Sequence, residues 1–303
     1  MAISWFKNFG LGTSSSYAAL LVAMTASAQT MAFSSGGLVY TVNGTEVEVV
    51  GCVADPCANS VNIPATVTDS GTGTTYNVIS VGSDAFRQKG ITGLVIADGI
   101  SIIKVSAFSE NPSLTSLMIP ASVTTIRIGA FFGAGLTSLT LPATVTSLGD
   151  GAFEGKGFPN ATLASVNIEE GVKNIPASAF AYNKIATLTI PASVTTLVQS
   201  AFEANELTEV AFKGNRGSFS DRTFLRNAKL LTITYCEGTT GWPGDPFDIG
   251  PDGPGAPINV TATPVNCSVT PPVATPVPLG PLWLLGVMAS ALSVLGITKL
   301  RKG

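Results

Sequence analysis

The stretch AFSENPSLTSLMIPASVTTI, residues 107–126, decides the fold, because variants of it recur through the middle of the chain. A second copy, AFAYNKIATLTIPASVTTL, occupies residues 179–197. Each copy begins with Ala-Phe, or once Thr-Phe, and the intervals between successive phenylalanines are 22, 23, 22, 27, 22 and 22 residues. These phenylalanines are Phe86, Phe108, Phe131, Phe153, Phe180, Phe202 and Phe224. A unit this short cannot bury its own apolar face, so successive units must stack on one another.

Each unit predicts two short strands and a corner. The first strand follows the pattern Leu-x-x-Leu-x-Ile and ends at a proline, which cannot donate to a strand ladder. A second extended piece of the type Val-Thr-Thr-Ile follows, and the Ala-Phe pair fills the third corner. The inward positions of three clear copies are Leu114, Leu117 and Ile119; Leu136, Leu139 and Leu141; Ile185, Leu188 and Ile190. We therefore expect a β-rich leucine-rich-repeat solenoid of about eight coils with little helix.

Two further features vary between units. Asparagine recurs three residues after the phenylalanine, at Asn111, Asn183, Asn205 and Asn227. An asparagine there can satisfy backbone groups of a turn, so we interpret it as structural. The unit at 151–176 carries about five extra residues, at 156–162, and insertions map to one face of a solenoid. We expect this insertion to form a protruding loop.

These units closely resemble the BspA-like (Treponema pallidum type) leucine-rich repeats. The resemblance rests on the phrase Ala-Phe…Asn…Leu-Thr-Ser-Leu-Thr-Ile-Pro-Ala-Ser-Val-Thr-Thr-Ile and covers roughly residues 60–235. Members of this family are typically exported or surface-displayed, and several are adhesins for host or matrix proteins. The resemblance implies a binding protein, but it does not identify the ligand.

The N-terminal segment predicts export. Residues 1–28 combine a single charge, Lys7, with a short apolar run and an Ala-x-Ala cleavage site, which is typical of a signal peptide. We expect residues 29–37 to be loose. Residues 37–50 predict a hairpin around Asn43-Gly44, because alternating apolar residues flank this turn signal. Residues 29–59 would thus form an N-terminal hairpin cap.

The C-terminal segment predicts sorting or anchoring. Residues 268–278 are a proline-rich linker, and the next 20 residues, Leu279–Thr298, carry no charge and could span a bilayer. Basic residues close the tail at 299–303 and should stay cytoplasmic. The tail at 279–303 resembles exosortase sorting signals of the PEP-CTERM and IPTL-CTERM types, although it lacks the Pro-Glu-Pro signature. The resemblance implies an exosortase-like processing enzyme and transfer to the surface of a Gram-negative cell; the alternative is a permanent single-span anchor.

Four cysteines in an exported chain imply disulfides, and three pairings are open. We predict Cys52 with Cys57 and Cys236 with Cys267, because each pair brackets one end of the array, where caps are needed. Residues 236–267 would then be an irregular C-terminal cap. Its acidic residues Asp245, Asp248 and Asp252 could bind calcium through oxygen ligands, but they lack the regular spacing of strong calcium loops, so we predict no metal site and keep calcium as the alternative.

Composition argues against catalysis and nucleic-acid binding. The chain has no histidine, so no Ser-His-Asp or Cys-His arrangement can form, and no cofactor motif is present. Residues 29–278 contain 12 of the chain's 16 basic residues and all 19 of its acidic residues, so their net charge is −7. A negative net charge disfavours binding to the phosphates of nucleic acids. Neighbouring residues on a strand point to opposite faces, so we interpret Glu169-Glu170 as a solvated corner.

The outward residues of the first strand form the candidate binding face. They flank the central leucine and are mostly hydroxyl-bearing, with little charge and no aromatic anchor, which favours weak, multivalent contact. The face comprises Ser116, Met118, Ser138, Thr140, Ser165, Asn167, Thr187, Thr189, Glu209, Thr232 and Thr234. These residues are equally explained by the strand preference of Thr and Ser on an exposed sheet. Their hydroxyl rows also suggest ice or polysaccharide binding, although Met118 and Glu209 interrupt the rows.

The sequence thus predicts a non-catalytic exported surface protein that mediates adhesion or protein–protein contact. Its expected partners are extracellular protein, matrix or glycan ligands, together with the membrane through Leu279–Thr298 before or instead of processing. The alternative function is a structural component of an extracellular matrix or biofilm.

Overall fold

The computed structural model describes residues 31–55, 57–159, 161–230, 232–242, 247–248 and 259–267. The chain divides into two compact units, residues 1–265 and 266–303, and the fold described here is that of the first. The predicted signal peptide (1–28), the proline-rich linker (268–278) and the sorting tail (279–303) lie outside the described residues. Within the described ranges, no helix combines the length and the apolar character required to cross a bilayer.

The described elements are strands joined by turns. In chain order they are β1 (Ala32–Ser35), β2 (Leu38–Asn43), β3 (Glu46–Cys52), β4 (Ser60–Ile63), β5 (Thr66–Thr68), β6 (Thr75–Val81), β7 (Gly93–Ile96), β8 (Ile102–Ile103), β9 (Thr125–Ile126), β10 (Ser138–Leu141), β11 (Ser147–Leu148), β12 (Ser165–Ile168), β13 (Asn174–Ile175), β14 (Thr187–Ile190), β15 (Thr196–Leu197), β16 (Glu209–Phe212), β17 (Ser218–Phe219), β18 (Thr232–Cys236), β19 (Phe247–Asp248), β20 (Asn259–Val260) and β21 (Thr263–Val265). This arrangement confirms the predicted β-rich leucine-rich-repeat fold.

Each coil contributes to three walls. The longer strands form the main wall, in which β4 pairs with β7, β10 with β12, and β14, β16, β18 and β21 follow one another in parallel. The two-residue strands form the second wall, in the orders β8-β9-β11 and β13-β15-β17, and the longer β6 pairs with β8. The Ala-Phe turns form the third wall, where the N–H of Phe108 donates to the carbonyl of Ala130 at 2.8 Å. The equivalent bond to the next coil is made by Phe86, Phe131, Phe153, Phe180 and Phe202.

A stack of phenylalanine rings runs through the core along the third wall. Six consecutive pairs, from Phe86–Phe108 to Phe202–Phe224, have ring centroids 5.2–6.0 Å apart and interplanar angles of 1–26°. All seven rings are at most 3% exposed. The stack crosses the coil that carries the insertion without a break, since Phe153 and Phe180 lie 5.6 Å apart.

The asparagines confirm the structural interpretation. The Asn111 amide donates to the carbonyl oxygens of Phe108 in its own coil and Phe86 in the preceding coil, at 2.9 and 2.8 Å. Its oxygen accepts the N–H of Ile91 at 3.2 Å. Equivalent bonds to both phenylalanine carbonyls recur at Asn183, Asn205 and Asn227, and all four side chains are buried.

The N-terminal cap has three strands, one more than the predicted hairpin. The hairpin β2–β3 forms, but Gly44 and Thr45 take its two central turn positions, because Gly44 supplies the positive φ of +66°. Residues 32–35 are not loose: β1 pairs antiparallel with β2, and Phe33 stacks on Tyr40 at 5.4 Å. Partial burial of the Phe33 ring stabilises the ordered strand.

The C-terminal end is partly regular rather than irregular. Strand β21 adds in parallel to β18, with Thr263 opposite Thr234, and β19 pairs with β20. Trp242 is 2% exposed, stacks on Tyr235 at 5.1 Å and donates its indole N–H to the Gly214 carbonyl. This ring covers the apolar end of the repeats in the described unit.

All four cysteines form disulfides, as predicted. Cys52 and Cys57 are bonded, with their Cα atoms 5.5 Å apart, which confirms that pairing. Cys236 and Cys267 each take part in a disulfide, while their predicted pairing stays a prediction. The Cys52–Cys57 loop is held to the first repeats by an ion pair between Asp55 and Lys89.

The insertion at 156–162 is exposed at its tip and anchored at its base. Lys156 and Gly157 are exposed. Phe158 is half-buried and meets the edge of Phe132 at 5.5 Å, and the Thr162 hydroxyl donates toward the Gly135 and Leu136 carbonyls.

Candidate binding face

The main wall presents the predicted face to solvent. Along β10, Ser138 and Thr140 are exposed while Leu139 and Leu141 are buried, and β12 and β14 show the same alternation. Strand residues alternate between faces, so the leucine pattern directs every second residue outward. Of the predicted face residues, all are exposed except Thr234, which is half-buried.

Strand register aligns these residues into rows across the coils. Ser138 lies opposite Ser165, and Thr140 lies opposite Asn167. In the C-terminal sheet the rows are Thr187, Glu209 and Thr232, and Thr189, Ala211, Thr234 and Thr263. Glu209 and Ala211 therefore interrupt the hydroxyl rows, and ice or polysaccharide binding stays a prediction.

One expected strand is missing from this wall. Residues 114–119 fit the leucine pattern, yet none of the backbone N–H or C=O groups of Ser116–Ile119 makes a hydrogen bond within the described chain. The ladder stops at Thr115, whose carbonyl accepts the N–H of Thr137 at 3.2 Å. No β-branched residue lies between Ser116 and Met118, so the segment has less intrinsic preference for a paired strand than Thr187–Ile190.

The missing strand opens the wall. Leu117 is half-buried, whereas its counterparts Leu94, Leu139 and Leu188 are 9%, 3% and 3% exposed. Beside it lies a groove of about 480 Å³ that crosses three successive coils. Its lining includes Leu117, Met118, Leu139, Thr140, Asn167 and Glu169. The groove brings together Met118, Ser138, Thr140, Ser165 and Asn167 of the predicted face, but not its C-terminal members.

The groove has one apolar end and one acidic end. Met118 is 81% exposed, the largest exposed fraction among the large apolar side chains of the described residues. Glu169 is exposed and is the one charged residue among those that line the groove in the described chain. Sequence reasoning placed Met118 on the binding face, but it predicted Leu117 to be inward and interpreted Glu169 as a solvated corner; the Ser-Leu-Met run was the available signal for the groove.

Glu169 and Glu170 do more than form a solvated corner. Both are exposed, but each binds backbone N–H groups of a neighbouring coil. Glu169 accepts from Ala143 at 3.0 Å, while Glu170 accepts from Ala192 and Ser193 at 2.9 and 3.0 Å. Four other coils have Pro-Ala at this corner, at 64–65, 120–121, 142–143 and 191–192. The two carboxylates instead bind the enlarged coil to both neighbours.

A second, smaller cavity of about 320 Å³ lies beside the insertion, between Phe158 and Tyr182. Nearby, Glu203 is 5% exposed and accepts the Tyr182 hydroxyl at 2.9 Å. Burial raises the pKa of the neighbouring Glu154 carboxyl, an effect opposed by Lys156 and reinforced by Glu203. These side chains satisfy one another, and the cluster has no arrangement that indicates a reaction.

The described residues contain no cluster of three or more side chains able to hold a metal ion. The side chains of Asp245, Asp248 and Asp252 lie outside the described part of the chain.

The repeats match a known family model. The BspA type leucine rich repeat region, in six copies, matches residues 58–157 and 155–248. The chain belongs to the BspA-type leucine-rich-repeat family. This BspA-type protein has no match among curated proteins.

Several solved structures are similar to this chain, and the first of them supports the fold. The pneumococcal vaccine antigen PcpA is similar over 73% of this chain and 67% of its own, with 19% identity and a TM-score of 0.53. A Treponema pallidum leucine-rich-repeat protein shares 19% identity over 66% of this chain and 91% of its own, with a TM-score of 0.41. One from Bacteroides capillosus shares 25% identity over 46% and 98%, with a TM-score of 0.40. The likeness to PcpA concerns the fold alone.

Proposed function

We propose that this BspA-type protein is a non-catalytic, exported surface protein whose main wall binds partner proteins in adhesion. The groove across residues 117–169 is the observation that carries the proposal, because it interrupts an otherwise flat, hydroxyl-bearing face with an exposed methionine. Isolated surface apolar residues are ordinary, but an exposed apolar side chain at a groove on a repeat surface suits protein contact. The rest of the face adds weak contacts that gain strength when many copies act together.

Export and surface display belong to the same proposal. The Cys52–Cys57 disulfide supports an oxidising compartment outside the cytoplasm. The predicted signal peptide and sorting tail would place the repeats outside a Gram-negative cell. An epitope after Gln29 tests this: surface labelling of a form that lacks residues 279–303 is expected, and a full-length form confined to the inner membrane would contradict sorting.

The binding role is tested with cells that express the full chain, scored for adherence to a panel of immobilised extracellular-matrix proteins and to one another. Met118→Lys is expected to reduce adherence about tenfold, because it places a hydrated charge where an apolar contact forms. Ser147→Lys is the matched control, since Ser147 is equally solvent-facing but lies on the second wall.

Two outcomes would contradict the binding role. Equal losses in both variants would indicate a general effect of added charge. Unchanged adherence in Met118→Lys, with the protein retained in extracellular matrix, would favour the alternative of a structural matrix component.

A further inference from the structure

We infer that the groove binds an extended peptide segment of the partner protein, carrying an apolar side chain at one end and a lysine or arginine at the other. This inference rests on the proposed function, and it adds the chemistry of the ligand. It follows from three features of the groove: its unpaired backbone, its apolar end and its acidic end.

The unpaired backbone favours a peptide. Ser116–Ile119 leaves its N–H and C=O groups without hydrogen-bond partners in the described chain, although both neighbouring coils have strands at this position. An extended peptide that crosses this segment on its way from Met118 toward Glu169 presents main-chain donors and acceptors to these groups. A compact ligand without repeated donors and acceptors would satisfy fewer of these groups.

The apolar end selects one side chain of the peptide. Met118 is flexible and polarisable, which lets it adapt to aliphatic or aromatic partners. Half-buried Leu117 lies next to it, and Val95, at the same position of the preceding coil, is 57% exposed. An apolar side chain placed here would cover surface that the chain otherwise leaves in water.

The acidic end selects a basic side chain. Glu169 binds the Ala143 amide through Oε2, so Oε1 can accept from a ligand. Since no basic residue lines the groove in the described chain, its charge is unbalanced and favours a cation. An anionic glycan or phosphate would be repelled.

Strand spacing sets the separation of the two peptide side chains. Met118 and Glu169 lie two coils apart and two residues apart along the strand direction, so strand geometry gives about 12 Å between them. An extended chain covers this distance in about three to four residues. The ligand pattern is therefore an apolar residue three or four positions from a Lys or Arg.

The probe is a phage-displayed library of random decapeptides, selected on the full chain solubilised from cells. Selected peptides are then measured by fluorescence anisotropy. We expect the apolar–basic pattern at the stated spacing and about a tenfold loss of affinity in Met118→Lys. Glu169→Gln should weaken binding about three- to fivefold, as an exposed ion pair would.

Glu170→Gln is the matched control. Glu170 is adjacent, exposed and bound to backbone amides of a neighbouring coil like Glu169, but it does not line the groove. It should leave affinity unchanged. As a charge swap, Glu169→Lys should bind a selected peptide whose basic residue is replaced by glutamate.

Several results would overturn the inference. These are selected peptides without a basic residue, equal effects of Glu169→Gln and Glu170→Gln, or no selected peptide at all. If no peptide binds while Met118→Lys still lowers adherence, the peptide inference fails and the proposed function stands. If peptides bind as expected while adherence is unaffected by Met118→Lys, the proposed adhesive function fails instead.

Discussion

The side-chain amide of Asn205 donates a hydrogen bond to the carbonyl oxygen of Phe180, in the preceding coil, at 2.9 Å. The Asn205 oxygen also accepts the N–H of Ile185 at 3.0 Å, again from the preceding coil. Its amide also donates to the Phe202 carbonyl of its own coil at 3.1 Å, so one side chain satisfies buried backbone groups on both sides of a coil interface. Such interfaces supply most of the stability of a repeat array, because a coil has few other neighbours.

We predict that Asn205→Ala lowers the free energy of unfolding by about 2 kcal/mol, since it leaves the buried N–H of Ile185 without an acceptor and removes one of the two side-chain bonds to the Phe180 carbonyl. Urea denaturation followed by circular dichroism measures the change. Asn62→Ala is the control, because Asn62 is exposed on β4 and should change stability by less than about 0.5 kcal/mol. Similar losses in the two variants would refute the role of the buried amide.

Removing a ring from the centre of the phenylalanine stack should cost more stability than removing a ring from the insertion. Phe153 lies between Phe131 and Phe180, at 5.2 and 5.6 Å, and Phe153→Ala should cost about 3–5 kcal/mol. Phe158→Ala removes the same ring from the insertion, where it is half-buried with one edge contact, and should cost about 1 kcal/mol. Chemical denaturation distinguishes the two; equal costs would mean that the insertion supports the core as much as the stack does.

Left-handed backbone at the third wall predicts a stabilising substitution. Ala204 has φ +53°, and its position two residues after the phenylalanine is also left-handed at Gln88, Glu110, Gly133 and Tyr182. Ala204→Gly should therefore raise the free energy of unfolding by up to about 1 kcal/mol. The same change at Ala211, within strand β16, should lower it by about 0.5–1 kcal/mol. A loss of stability in both variants would contradict the strain at Ala204.

The buried Glu154 carboxyl predicts that the Tm difference between the unaltered protein and a Glu154→Gln variant depends on pH. Burial raises its folded pKa above the ordinary 4.5, so the fold loses stability as pH rises from 4.5 to the folded pKa, and the loss stays constant above the folded pKa. Glu154→Gln should raise Tm at pH 7, and the difference should vanish near pH 3, where both side chains are neutral. Thermal melts across this range measure it. A Tm difference that stays constant with pH would show that burial of the charge is not its cause.

Sequence periodicity was sufficient for the repeating parts of this molecule. The spacing of Phe86 to Phe224 and the leucine pattern determine which residues are buried, and Asn111 and its equivalents follow from the same repeat. Strand alternation likewise determined which face residues, such as Thr140, point outward. These features depend on local pattern and on neighbours that are nearly identical in sequence.

The features that sequence could not supply depend on differences between neighbouring coils. Ser116–Ile119 fits the leucine pattern, and its lack of pairing appears only when adjacent coils are placed together. The amide bonds of Glu169 and Glu170 reach coils more than 20 residues away. Strand β1 was not predicted, because the residues around Phe33 are mostly small and polar and give no strand pattern. Its order comes from the packing of Phe33 on Tyr40.

Hydrogen–deuterium exchange of the full chain, free and bound to a selected decapeptide, tests the central claim most directly. The amides of residues 116–119 should exchange much faster than those of β10 and β12 in the free protein, because they have no hydrogen-bond acceptors. Peptide binding should protect residues 116–119 and leave β15 and β17 unchanged. Amides at 116–119 that are already as protected as β10, or that gain no protection on binding, would contradict the account.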